Sequence, residues 1–380
     1  MSIELQSQRM AKSYDIAVIG AGVFGAWTAY YLRRAGADVL LVDAFGPGNS
    51  RASSGGESRI SRLGYGPDEI YTRSAQRSLE LWKQLFAEAG PQPVPLFQNT
   101  GVLWLARERD AYCEAVVTTL QHVGARFEKL DRDELIRRFP QIAPAQTTWA
   151  ILEPDAGILM ARRAVQALVT RSREIGIDYH QARVTPDSQI NADRLVFACG
   201  PWLPKIFPEL LGDLIYVTRQ EVFFFGVPAG DERFGAAALP AWIDFNDLVY
   251  GIPNLDGRGF KLAIDAHGPQ FDPDTGERVV SQTGLTAARE YLAQRIPALA
   301  DAPVLETRVC QYENTSNGDF LIDRHPEVEN VWIVGGGSGH GFKHGPVVGE
   351  YAAAMIGGTG TPEPRFSLAT KQTFQHRQVY

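Results

Sequence analysis

Three glycines, Gly20, Gly22 and Gly25, form the sequence GAGVFG between an apolar run and a helical pattern. Glycines at this spacing permit a tight turn, close approach of the backbone to a pyrophosphate, and close packing of a helix on a strand. A helix N-terminus adds free N–H groups and a positive dipole end. Asp43 follows about 20 residues on, where a carboxylate accepts hydrogen bonds from ribose hydroxyls. The pattern predicts a dinucleotide site rather than a plain structural turn, and leaves FAD and NAD open.

The three cysteines, Cys113, Cys199 and Cys310, are too few and too scattered for a disulfide framework and have no metal-ligand spacing. They indicate a reducing compartment. Cys113 and Cys199 are interpreted as buried free cysteines, because cysteine behaves as a small apolar residue.

Two histidines, His340 and His344, have the i, i+4 spacing that binds zinc on a helix. The glycines interleaved with them argue against a helix, and no third ligand is near in the sequence. No metal site is predicted.

The elements that must position these residues begin with one βαβ unit. Buried strands are predicted over residues 14–20 and 38–43, with a helix over 23–35 between them. Residues 46–58 are rich in glycine and serine and predict a loop. Further helices are predicted over 71–89, 107–123, 130–140, 162–173, 284–294 and 346–355, strands over 194–198 and 331–336, and antiparallel sheet over 216–264.

The composition is that of an ordinary globular protein, with 44% apolar and 21% charged residues among 380. A net charge of -7 leaves no broad cationic surface for nucleic acid or anionic lipid. The sequence has no signal-peptide pattern and no apolar run of about 18 residues, so neither membrane nor nucleic-acid binding is predicted. We expect a cytoplasmic monomer with a mobile polar leader over residues 1–12.

Five segments together resemble the sarcosine-oxidase family of flavoproteins, in that family's order. They are VIGAGVFGAWTAYYLRRAGADVLLVDA, GGESRISRLGYG, GFKL, CQYENTSNGDFLID and GSGHGFKHGPVVGE. The resemblance covers residues 14–356, and the last two segments are the most specific. It implies an α/β fold with FAD as the cofactor: a Rossmann-type FAD-binding domain (13–90, 150–215 and 310–370) and an α+β substrate domain on a mixed or antiparallel sheet (91–149 and 216–309).

The resemblance assigns roles to cationic and aromatic side chains. Arg59 is expected near the flavin ring, and Lys261 near flavin N5, where the family lysine activates oxygen. Arg62 and Lys343 are expected to pair with the substrate carboxylate. Tyr250 and Tyr312 are expected to line the site, with core packing as their alternative role.

The resemblance also implies a thioether from Cys310 to the 8α carbon of the flavin, with a free buried cysteine as the alternative. The cofactor contacts it implies are Gly20, Gly22, Val23, Phe24, Gly25, Asp43, Ala44, Ser50, Ser53, Ser58, Arg59, Val184, Cys199, Gly200, Trp202, Cys310, Gly337, Gly339, His340, Gly341, Phe342 and Lys343.

Several positions depart from the family pattern. Many relatives have threonines and a Thr-Pro pair after the cysteine, where this chain has Glu313, Asn314 and Ser316. Gly55 and Asp265 stand where some sarcosine oxidases have histidines. The substrate side of the site is therefore expected to differ.

The resemblance implies an oxidase that takes a hydride from the α-carbon of a secondary amino acid, gives an imine that hydrolyses, and reduces O2 to H2O2. No strong base is required, because the neutral amine's lone pair drives hydride departure. A dehydrogenase that passes electrons to a quinone or carrier is the alternative, and a binding protein without redox chemistry is a third reading. Sarcosine, N-methyl amino acids, pipecolate or proline, and sugar-modified amino acids stay open as substrates.

Overall fold

The computed structural model describes residues 12–185 and 188–374. Residues 1–11 of the predicted leader lie outside this range. The strands are β1 Tyr14–Ile19, β2 Val39–Asp43, β3 Arg59–Ser61, β4 Phe97–Gln98, β5 Val102–Ala106, β6 Glu128–Asp131, β7 Trp149–Glu153, β8 Gly157–Leu159, β9 Asp178–Gln181, β10 Ala192–Phe197, β11 Ile215–Phe225, β12 Ala241–Asp244, β13 Val249–Ile252, β14 Phe260–Ile264, β15 Val304–Thr315, β16 Leu321–Arg324 and β17 Val331–Gly335. The helices are α1 Val23–Arg34, α2 Glu69–Glu88, α3 Ala111–His122, α4 Arg132–Arg138, α5 Ala161–Glu174, α6 Leu203–Ile206, α7 Pro208–Leu211, α8 Gln282–Arg295 and α9 Gly345–Ile356.

The first sheet has the order β16-β17-β10-β1-β2-β9 and is parallel except at β16, which runs antiparallel to β17. Its central strands are apolar and buried, as strands covered on both faces must be. β1, α1 and β2 form the predicted βαβ unit, which confirms the Rossmann-type fold.

Helix α1 is held between this sheet and α9. Its buried face includes Trp27, and the α9 glycine Gly349 lies so close that a Cβ there would be 2.5 Å from the Trp27 Cβ. Glycine at this position therefore lets the two helix backbones approach. The contact fixes the C-terminal helix against the start of the chain, and so joins distant parts of the sequence around one sheet.

The second sheet has the order β15-β11-β14-β13-β12-β5-β7-β6 and is antiparallel except where β5 runs parallel to β12. The antiparallel sheet predicted for 216–264 is confirmed by β11 to β14. The sequence did not predict β5, β7 and β15. The domain boundaries proposed at 150 and 310 fall inside the strands β7 and β15. The division of the chain into domains stays a prediction.

In the part of the chain that the structure describes, no helix combines the length and apolar character needed to cross a membrane.

Candidate functional site

The glycine-rich turn between β1 and α1 is built around close backbone contacts. Gly20 has φ 106°, and a Cβ on it would lie 2.3 Å from the Ala198 carbonyl oxygen. A Cβ on Gly25 would lie 1.9 Å from the Gly20 oxygen. Both positions therefore exclude a side chain, and the start of α1 opens into a cleft at the carboxyl ends of the parallel strands, where such sheets bind ligands.

Asp43 ends β2 at the edge of this cleft. One carboxylate oxygen accepts from the Ala21 amide at 2.8 Å, and the other accepts from the Phe45 and Gly46 amides at 2.8 Å each. Burial raises the pKa of this carboxyl above its ordinary value, although the three amides oppose the shift. Asp43 therefore holds the glycine-rich turn against the second strand, besides presenting a carboxylate to the cleft.

Asp43→Ala is expected to weaken cofactor affinity by about 10- to 100-fold, because hydrogen bonds to a charged group contribute about 1.5–3 kcal/mol. Asp43→Asn keeps one acceptor oxygen and should lose less. The dissociation constant is measured by flavin fluorescence in a Cys310→Ala background, so that the result does not depend on the covalent bond that the resemblance implies at Cys310. Unchanged affinity in Asp43→Ala would contradict the placement of the ligand against β2.

The cleft, called here the cofactor cleft, has a volume of ≈ 840 Å³. This is within the size range of cofactor pockets. Among its lining residues are the predicted contacts Gly20, Gly22, Val23, Phe24, Asp43, Ala44, Ser53, Arg59, Val184, Cys199, Gly200, Trp202, Cys310, Gly337, Gly339, Gly341 and Phe342.

A second, narrower cavity adjoins the cofactor cleft, and Arg59, Cys310 and Tyr312 line both. We call it the cation pocket, because Arg59, Arg62, Lys261 and Lys343 all line it. The structure thus brings together the four cations that the sequence assigned to chemistry. Tyr250 and Tyr312 also line it, and burial raises the pKa of both hydroxyls, which keeps them protonated.

Lys261 is 2% exposed, and its ammonium donates to the Ser58 carbonyl oxygen at 3.0 Å. Burial, followed by the neighbouring Arg59, lowers the pKa of Lys261 well below its ordinary value. Arg59 donates to the Ser53 carbonyl at 2.7 Å and lies 3.4 Å from the Cys310 sulfur. These contacts concentrate positive charge where the two cavities meet.

Arg62 and Lys343 are 8% and 6% exposed and share Tyr65 as a neighbour. The Arg62 guanidinium lies over the Tyr65 ring at 4.0 Å from its centroid, and the Lys343 ammonium donates to the Tyr65 hydroxyl at 2.8 Å. Lys343 also donates to the His340 carbonyl at 2.9 Å. Two buried cations held this close are stabilised when an anion lies between them.

A model of the DAO family, described as FAD dependent oxidoreductase, matches residues 15–355. The chain belongs to this family. Monomeric sarcosine oxidase of Bacillus sp. (strain B-0618) is 31% identical over 97% of this chain and 100% of that protein. N-methyl-L-tryptophan oxidase of Yersinia pestis (strain Pestoides F) is 31% identical over 94% of this chain and 99% of that protein.

Solved structures show the same fold. L-proline dehydrogenase from P. horikoshii aligns with a TM-score of 0.81 and 21% identity over 94% of this chain and 97% of that one. Glycine oxidase from Geobacillus kaustophilus gives 0.77 and 20% identity over 94% and 98%. The FAD-dependent oxidoreductase family therefore accounts for the fold over nearly the whole chain.

Glu313 bears on whether the site fits FAD, the cofactor of this family. The sequence did not single out this residue for the cofactor. This side chain lines the cofactor cleft and is 7% exposed, and its Oε1 has no hydrogen-bond partner among the described residues. Burial raises the pKa of its carboxyl to about 7. A buried acceptor needs a donor, and FAD carries ribityl hydroxyls. Together with the glycine turn and Asp43, Glu313 makes a site that fits FAD.

Some predicted cofactor contacts lie elsewhere. Gly25 lies behind the glycine-rich turn, Ser50 is exposed, and Ser58 is buried and offers its carbonyl to Lys261. His340 and Lys343 line the cation pocket. These five predicted contacts therefore lie outside the lining of the cofactor cleft.

A buried hydrogen-bonded group behind the cation pocket was also missed from the sequence. The Tyr65 hydroxyl lies 2.6 Å from His344 Nε2, and His344 Nδ1 lies 2.9 Å from the Ser74 hydroxyl. Burial, and then Lys343, lowers the pKa of His344 well below its ordinary value, so the ring is neutral. Within the described residues no group of three His, Cys, Asp or Glu side chains could hold a metal ion.

Gly55, which stands where some sarcosine oxidases have a histidine, has no room for a side chain. A Cβ there would lie 1.7 Å from the Asn49 carbonyl oxygen, so this loop cannot hold a side chain in its present form. The Gly55 carbonyl accepts from Arg162 at 3.1 Å and from Arg308 at 2.9 Å. The loop that leads to Arg59 is therefore fixed by backbone contacts, where some relatives have a histidine.

Proposed function

We propose that this protein is an oxidase of secondary amino acids, N-methylated or cyclic. Bound FAD would supply the acceptor for a hydride from the substrate α-carbon, and transfer of the two electrons onward to O2 would give H2O2. The observation that carries the proposal is the convergence of Arg62, Lys343, Arg59 and Lys261 on one pocket that adjoins the cofactor cleft. The two relatives named above are oxidases of methylated amino acids, which supports the same substrate class.

The substrate carboxylate binds between Arg62 and Lys343. Both are buried, so their attraction for an anion is little screened by water. Fixing the carboxylate turns the α-carbon toward the cofactor cleft, and orientation of this kind lowers the activation barrier. Tyr250 and Tyr312, whose hydroxyls are neutral, line the same pocket and help to exclude water.

Arg59 and Lys261 act where negative charge develops during the reaction. Preorganised cations in a dry site stabilise such charge without the cost of reorienting water. We also propose that Cys310 holds FAD covalently, since its sulfur lies where the cofactor cleft meets the cation pocket. The protein is further proposed to act as a monomer in the cytoplasm.

The proposal is tested by oxygen uptake and peroxide release with a panel of sarcosine, N-methyl amino acids, proline and pipecolate. An oxidase consumes O2 without another acceptor. Turnover only with an artificial acceptor would identify the dehydrogenase alternative, and a colourless purified protein would contradict both.

Lys343→Met is expected to raise KM for a carboxylate substrate by about 10- to 100-fold, because a charge-assisted hydrogen bond to the carboxylate is lost. Substrates esterified at the carboxylate lack its charge and should have a higher KM than the free acids in the parent. This difference should disappear in Lys343→Met. Steady-state kinetics check both expectations. Lys129→Met, which removes an exposed lysine beside Trp149, is the matched control.

A further inference from the structure

Among the residues that the structure describes, three carboxylates line the cation pocket, and two of them are paired with arginines. Asp244 forms a buried ion pair with Arg295. Glu221 forms an ion pair with Arg219 at 2.7 Å. The third, Asp265, is different: within residues 12–185 and 188–374 the side chain that donates to it is the Tyr312 hydroxyl, at 2.5 Å.

The Tyr312 hydroxyl does not neutralise Asp265. Burial, and then Asp265 itself, raises the pKa of this hydroxyl well above its ordinary value, so it donates as a neutral group. A hydrogen bond from a neutral donor orients the carboxylate and leaves its negative charge in place. Asp265 therefore differs from Glu221 and Asp244, whose charges are compensated by arginines, in bringing a negative charge to the pocket without an ion pair to an arginine.

The position of Asp265 is fixed by the sheet. It follows β14 directly, and its amide donates to the Leu248 carbonyl at 2.6 Å. Lys261 lies four residues earlier on the same face, so the two Cα atoms are about 13 Å apart at the usual rise of a strand. The Tyr312 ring lies against the Gly339 backbone, where a Cβ would be 2.8 Å from the ring. Asp265 and Lys261 thus mark two ends of the pocket.

We propose that Asp265 selects amino acids that carry a second positive charge, on a side chain or ring, in addition to the carboxylate held by Arg62 and Lys343. This inference rests on the proposed function. The reacting nitrogen is a poor partner for Asp265, because it must be neutral when the hydride leaves, and a carboxylate beside it would stabilise its protonated form. A separate ammonium or guanidinium compensates the charge of Asp265 without this penalty.

Kinetics with a matched substrate pair test the proposal. α-N-Methyl-L-lysine and α-N-methyl-L-norleucine have the same backbone, and the first ends in an ammonium. In the parent holoenzyme the lysine derivative is expected to have a kcat/KM about 10- to 100-fold higher, the usual effect of one charge-assisted hydrogen bond. Asp265→Asn should remove this preference, mainly by slowing the cationic substrate.

Glu221→Gln is the control variant, because it removes a charge from the same pocket that Arg219 already compensates. It should keep the preference. Equal kcat/KM for the two substrates in the parent, or an equal loss with both in Asp265→Asn, would overturn the proposal. The second result would show that Asp265 acts on the reacting nitrogen.

A binding measurement separates failure of this inference from failure of the proposed function. Linear ω-amino carboxylates of four to seven carbons are compared with neutral carboxylates of equal length, using the change that binding causes in the flavin absorbance of the holoenzyme. The amino compounds should bind about 10- to 100-fold more tightly in the parent and equally in Asp265→Asn. A parent that shows this preference and oxidises no secondary amine would refute the proposed function alone.

Discussion

Lys261→Met is expected to slow the reaction of the reduced enzyme with oxygen by about 10²–10³-fold, the effect of removing one preorganised charge from an active site. The Lys261 side chain is nearly inaccessible and lines the cation pocket together with Arg59 and Cys310, which also line the cofactor cleft. Methionine has a similar length and fills the same space, so the loss is electrostatic rather than a packing defect. Anaerobic reduction by substrate should change far less.

Stopped-flow absorbance measures the two half-reactions separately. The lowered pKa of Lys261 adds a second expectation, because a rise in pH removes the proton from this ammonium and with it the charge that assists the oxygen reaction. Reoxidation of the parent should therefore slow as pH rises, and that dependence should disappear in Lys261→Met. A variant that reoxidises at the parent rate would show that another cation supplies the charge. Lys129→Met should behave as the parent does.

The local part of the fold could be predicted from the sequence because its signals are local. The GAGVFG turn, the apolar runs on each side of it and Asp43 lie within one stretch of chain, and the structure has β1, α1 and β2 where the pattern placed them. Strand β15 was missed from the sequence. In the structure its burial alternates over its first half, a period that is typical of a strand with one exposed face. The pairing of β15 with β11 joins residues far apart in the sequence, which no local pattern specifies.

The site shows the same contrast. The resemblance named Arg59, Arg62, Lys261 and Lys343 separately, and the structure brings them to one pocket. The sequence could not show that Lys343 contacts Tyr65, because β3, α2 and α9 have to pack before those side chains meet.

The pairing of carboxylates in the pocket was equally hidden in the sequence. Asp265 differs from Glu221 and Asp244 only through the partners that the folded sheets supply. Its charge is visible in the sequence, whereas its pairing is a property of the tertiary structure.

Cys310→Ala is expected to change flavin attachment completely. In the parent, acid precipitation should leave the yellow colour in the protein pellet, and in Cys310→Ala the colour should move to the supernatant. The reason is geometric: the Cys310 sulfur lines both cavities and lies 3.4 Å from Arg59, at the boundary where a flavin ring would pass from one cavity to the other. In-gel fluorescence after denaturing electrophoresis gives the same comparison on unfolded chains.

Cys199→Ala is the matched control for this prediction. Cys199 also lines the cofactor cleft, but its sulfur lies 3.3 Å from the Ile19 carbonyl oxygen beside the glycine-rich turn, away from the cation pocket. Burial raises the pKa of its thiol, which keeps it protonated and a weak nucleophile. The Cys199 variant should therefore retain acid-stable flavin. If parent flavin is already released by acid, Cys310 is a free thiol at the cofactor cleft, and FAD is held there by the glycine turn, Asp43 and Glu313 without a covalent bond.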